Sequence, residues 1–67
     1  MDEKLAIIKT VTVRAGKRHY TVDKKPGTKG QPDYYVLTEH KGDKRFKVVI
    51  TGADVAKIIN ALQDASR

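Results

Sequence analysis

The sequence predicts an α+β fold: a four-stranded antiparallel meander sheet followed by one C-terminal amphipathic helix, in a single domain spanning residues 1–67. Two observations predict the sheet. Four stretches rich in β-branched and aromatic residues alternate with a period of two, and glycine-bearing turns separate the first pair and the last pair. A third predicts the helix, because after Ile50 the apolar spacing changes to that of one helical stripe.

The first strand is expected over residues 5–15, where Leu5, Ile7, Val11, Val13 and Ala15 fall on one face with Lys9 interrupting. Gly16-Lys17 reads as a tight turn, since glycine accepts the positive φ that short hairpins need. The returning strand, Arg18 to Lys24, places Tyr20 and Val22 on one face and His19, Thr21 and Asp23 on the other. Residues 25–33 hold both prolines and two of the five glycines, which makes them a long basic loop. A third strand follows from Tyr34 to His40, then a Lys-Gly-Asp turn, then a fourth from Arg45 to Ile50 with Phe46, Val48 and Ile50 on one side. Val55, Ile58, Ile59 and Leu62 are spaced i, i+3, i+4 and i+7 and form the core or dimer stripe of the helix. Thr51-Gly-Ala-Asp54 has capping-box spacing with Asp in place of Glu, and Asp54 suits the positive end of the helix dipole.

Sixty-seven residues allow one small core. A chain of this size hides only about 60% of the surface it exposes when unfolded, and with no cysteine it has neither disulfides nor thiolate metal sites to add stability. The helix is expected to cover the apolar sheet face, yet it is too short to shield four twisted strands, so a homodimer is expected to complete the burial. No apolar run approaches the roughly 18–20 residues of a membrane span, and Met-Asp-Glu-Lys does not open like a signal peptide. An intracellular, soluble protein in cytoplasm, nucleoid or nucleus, with no membrane partner, is the expectation.

Fourteen Lys and Arg against eight Asp and Glu give a net charge of +6, and the pI is about 9.8. Residues 9–47 hold eleven basic and four acidic side chains, whereas the two ends together hold three basic and four acidic. The cationic middle favours a polyanion, above all nucleic acid, although charge of this kind also keeps a small protein soluble. Binders of single strands combine cations along the phosphates with rings on which bases stack. If the helix covers the face bearing Val11, Val13, Tyr20, Val22, Phe46, Val48 and Ile50, the opposite face offers Thr12, Arg14, Lys17, His19, Thr21, Arg45 and Lys47. Arg18 belongs to the same basic strand, and Lys24, Lys25 and Lys29 join from the loop. Tyr34 and Tyr35 point to opposite faces, and Tyr35 is the one expected on the open side. Competing readings stand beside these: Lys and Arg on strands also prevent edge-to-edge aggregation, His19 can stack, contact phosphate or have no role, and the loop is either a phosphate clamp or a plain connection.

The stretches Lys17-Arg18-His19-Tyr20 and Gly42-Asp43-Lys44-Arg45-Phe46-Lys47-Val48-Val49-Ile50-Thr51, running on into residues 55–62, resemble the repeat of the purine-rich-element-binding (Pur-alpha) family. More distantly, the chain resembles the transcriptional positive cofactor four family. The resemblance covers most of residues 11–65 and implies four strands and a helix, binding of single-stranded nucleic acid on curved strands, and assembly as paired repeats or dimers. The sequence departs from the Pur pattern where His19 replaces the usual aromatic and where the acidic residue of the second strand comes one position late, at Asp23. The loop at residues 25–33 is longer than a Pur repeat needs and is closer to the basic loop of the cofactor family.

Catalysis is not expected. There is no GxxxxGK[ST], and Gly27-Thr-Lys-Gly30 leads into a strand rather than a helix. His19 and His40 stand without cysteine or an HxxxH spacing, so neither a metal nor another cofactor is expected. Nothing groups Ser66, the two histidines and the scattered aspartates into a nucleophilic site. The expected function is binding of single-stranded DNA or RNA with weak sequence preference, as in a transcription or replication accessory factor. The alternative is a protein-interaction module or small regulatory subunit that docks on an acidic protein partner. Reading of duplex by a β-ribbon ranks lower, because Asn and Gln are absent from the strands.

Overall fold

A computed structural model describes residues 7–67, so Leu5 of the expected first strand lies outside the described residues. Strands β1 (Lys9–Ala15), β2 (Arg18–Lys25), β3 (Tyr34–Lys41) and β4 (Lys44–Thr51) form one antiparallel sheet in the order β1-β2-β3-β4. A single 3₁₀ turn, Gly52–Asp54, then leads into the helix α1 (Val55–Ala65). The α+β meander-plus-helix architecture is the one that the alternating pattern predicts. The β1 ladder begins at Lys9, and one further bond, from the Ile8 N–H to the Lys24 carbonyl at 2.8 Å, extends it towards the N-terminus.

Two glycines set the register. Gly16 and Gly42 have φ of +67° and +63° and each occupies the first central position of a two-residue hairpin, closing on Ala15↔Arg18 and Lys41↔Lys44. Glycine at that position is the signature of a type II′ turn, whose twist matches that of paired strands. The connection between β2 and β3 folds back on itself: Lys29 and Gly30 have φ of +51° and +84°, and the Gln31 N–H donates to the Thr28 carbonyl at 3.0 Å. A Cβ at Gly27 would overlap the Gln31 and Pro32 carbonyls, and one at Gly52 would lie 2.7 Å from the Asp33 oxygen. The loop backbone is therefore packed tightly on itself and against the start of the 3₁₀ turn.

Pairing sorts the side chains into two faces. One carries Val11, Val13, Tyr20, Val22, Tyr35, Leu37, Phe46, Val48 and Ile50 in facing positions across the four strands. The other carries mostly Thr, His, Arg and Lys. The apolar face is not covered as expected, because the helix runs on from β4 and makes no substantial contact with any strand. The reason is the connection: one 3₁₀ turn carries the chain forward and leaves no loop long enough to fold α1 back over the sheet.

The resulting molecule is thin, 38 × 30 × 16 Å. Among the described residues no apolar side chain is buried, and Thr38 alone is, at 4% exposure. Phe46 at 53% and Leu62 at 66% mark the open sheet face and the open helix stripe. The capping box also differs from its expected form. Thr51 Oγ1 donates to the Asp54 carboxylate at 3.1 Å, and neither side chain bonds a backbone N–H at the start of the helix. Asp54 is the residue preceding α1, where its charge complements the helix dipole.

Replacing Gly16 with alanine tests the hairpin. A Cβ there meets nothing within 4 Å, so the cost is conformational alone. Gly16→Ala should lower the unfolding free energy by about 1–2 kcal/mol in a denaturant titration, the usual penalty for an L-residue in left-handed backbone.

Candidate nucleic-acid interface

The polar face of the sheet is a grid whose rows follow from one-to-one pairing. Arg14, His19, His40 and Arg45 form one row across all four strands; Thr12, Thr21, Thr38 and Lys47 form the next; Thr10, Asp23, Val36 and Val49 the third. Beyond them Lys25, Tyr34 and Thr51 line up beside the β2–β3 loop. With neighbouring strands about 4.8 Å apart, the two arginines of the first row stand about 14 Å from one another.

Inside the first row the His19 and His40 rings stack, with centroids 4.2 Å apart and planes inclined by 4°. The Thr21 hydroxyl lies 3.1 Å from His40 Nε2. Burial, then the neighbouring His19 and Arg45, hold the His40 imidazole below its ordinary value of 6.5. The acid of this face, Asp23, accepts a hydrogen bond from the Thr10 hydroxyl at 2.6 Å. Among the described residues no carboxylate forms an ion pair with Arg14, Lys25, Arg45 or Lys47. Their positive charge is left facing outwards.

Arg14, His19, Arg45 and Lys47, expected together, do share this face, and Lys25 joins them at its far end. Lys17 sits in the β1–β2 turn and Lys29 in the loop. Three expected residues lie on the opposite face. Tyr35 stands between Lys24 and Ile50, which leaves Tyr34 as the tyrosine of the polar face. The two-residue turn at Gly42-Asp43 dictates this, since it pairs Tyr35 with Ile50 and Leu37 with Val48. Arg18 flanks the first hairpin turn on the apolar side, where it donates to the Tyr20 hydroxyl at 3.4 Å and to Glu39 at 3.5 Å. Lys24 lies 3.8 Å from Asp33. Phe46, Tyr20 and Tyr35 are all on the apolar face, so the rings available on the polar one are the two imidazoles and Tyr34.

Thr12 and Thr21 were expected on this face and pair there; His40 and Thr38 were not singled out from sequence, because only the β2–β3 register brings them beside His19 and Thr21. An open cleft of about 860 Å³ adjoins the grid where the loop meets the strands, lined by Lys25, Pro26, Gln31, Tyr34 and Thr51 among others. No helix among the described residues is long and apolar enough to cross a membrane, and no cluster of three metal-ligating side chains occurs among them.

The lowered His40 value has a stability consequence. A histidine that binds its proton less readily folded than unfolded contributes stability above pH 6.5 that is lost as the pH falls towards the folded-state value. The thermal midpoint should therefore fall as the pH drops below 6.5, and His40→Gln should flatten that dependence. Compared with protein-family models, with curated proteins and with solved structures, the chain finds no match to any.

Proposed function

We propose that this protein binds single-stranded DNA or RNA, with weak sequence preference, on the polar face of its sheet, and that it does so as a homodimer in an intracellular setting. The observation that carries the reading is the segregation of the two faces: Arg14, Arg45, Lys47 and Lys25 share a surface with threonine hydroxyls and three polar rings. Cations and hydroxyls serve the phosphates and sugars, while imidazoles and Tyr34 offer planes to unstacked bases. Contacts of this kind tolerate any base, hence the weak preference. The resemblance to the Pur-alpha repeat supports the same reading.

The homodimer is supported by what the fold leaves open. The apolar sheet face and the apolar stripe of α1 are both uncovered in one chain, and two copies that lay helix on sheet reciprocally would cover both. Exposed apolar area of this extent is unusual on a monomer.

Fluorescence anisotropy of a labelled 20-mer, single-stranded and duplex, at 50 and 200 mM salt tests the binding. If the four cations of the polar face each neutralise one phosphate, affinity should fall about 50-fold between the two salts. Arg45→Glu with Lys47→Glu should weaken binding and reduce that salt factor to about sevenfold, with circular dichroism unchanged. Absence of binding at either salt would favour the acidic-protein adaptor instead. For the dimer, Ile59→Asp should convert the sedimenting species to half its mass; an unchanged mass, or a monomeric wild type, would refute it.

A further inference from the structure

We propose that the row Arg14, His19, His40 and Arg45 is a proton-coupled phosphodiester site, in which a bound backbone draws a proton onto the stacked imidazoles and binding tightens as the pH falls through neutrality. The inference rests on the single-strand reading of the polar face and adds its ligand contact and its regulation.

The geometry supplies the argument. The two rings are nearly parallel, with centroids 4.2 Å apart, so a proton on His40 places its charge directly against the face of the His19 ring and close to Arg45. The groups beside them are chiefly cationic: Arg14 on β1, and Arg45 and Lys47 on β4, with Lys25 of β2 farther off at the other end of the face. Among the described residues Asp23 on β2 is the one acid paired onto this face; it accepts from Thr10 and favours the protonated His40, an effect outweighed by burial, His19 and Arg45. A phosphodiester laid along the row reverses this local field. It meets a guanidinium at either end and imidazole N–H groups between, and each proton taken up adds a charge-assisted bond to the anion. Thr21 Oγ1, 3.1 Å from His40 Nε2, can donate to the neutral ring or accept from the protonated one, so the hydroxyl accommodates both states. The lowered basicity of His40 in the free protein is consistent with a group that gains its proton on binding. Parallel rings direct their nitrogens alongside one another rather than to a common point, an arrangement that suits an extended anion better than a metal ion.

The test is the affinity for a labelled single-stranded 20-mer at pH 5.5, 6.5, 7.5 and 8.5 and constant ionic strength. Wild type should bind more tightly as the pH falls, by up to about tenfold per pH unit for one proton taken up. The double variant His19→Gln, His40→Gln should be flat across the range and bind more weakly than wild type at pH 5.5. In parallel, the imidazole C–H resonances of wild type should titrate at higher pH when the 20-mer is bound, a readout that needs no variant to fold. A pH-independent wild-type affinity, a pH dependence that survives in the double variant, or an imidazole midpoint unmoved by the 20-mer would each overturn the proposal while leaving single-strand binding in place. No binding at any pH would overturn the binding reading, and this one with it.

Discussion

Strand pairing is the interaction on which the rest of this molecule depends. With no apolar side chain buried among the described residues, side-chain packing does not hold the chain in shape; the backbone ladders do. Because side chains alternate strictly along a strand, the closing pairs of the two hairpins decide the face of every residue from Lys9 to Lys25 and from Tyr34 to Thr51. Arg14 meets His19, and His40 meets Arg45, for the same reason that Val11 meets Val22 and Leu37 meets Val48. The charged grid and the apolar face are one arrangement seen from its two sides.

The second constraint is the way β4 ends. A single 3₁₀ turn separates it from α1, so helix and sheet are joined end to end rather than layered. An apolar sheet face left open to water marks a surface suited to association. The chain cannot cover that face with its own helix, yet it carries a matching stripe, Val55, Ile58, Ile59 and Leu62. The proposed dimer follows from that mismatch between what the chain exposes and what its connectivity lets it cover. It also leaves the opposite face, with its arginines and imidazoles, available to a ligand.

Much of this was legible in the residues. The period-two strands, the two glycine turns and the helical stripe between Val55 and Leu62 are local signals, and local signals survive into the structure. The face shared by Arg14, His19, Arg45 and Lys47 was legible as well, since it follows from alternation on β1, β2 and β4. Tyr35 was misplaced because β3 reads ambiguously: Tyr34 and Val36 on one parity are as apolar as Tyr35 and Leu37 on the other. Carrying the register through the Gly42-Asp43 turn would have resolved it. The stacking of His19 on His40 was beyond reach, because it depends on how the irregular loop after Lys25 positions β3 against β2. The helix was expected on the sheet because amphipathicity says that a stripe must be covered, not by whom.

The end-to-end join of β4 and α1 also bears on which part of the protein can be trusted to form by itself. An 11-residue helix with nothing packed along its stripe is marginal in water, whereas the hairpins close through short, local connections of the kind that form quickly. Sheet and helix therefore need not share one melting event. In dilute solution the strands can persist while the C-terminal turns fray, which would make helical content a gauge of how much of the apolar surface has found its cover.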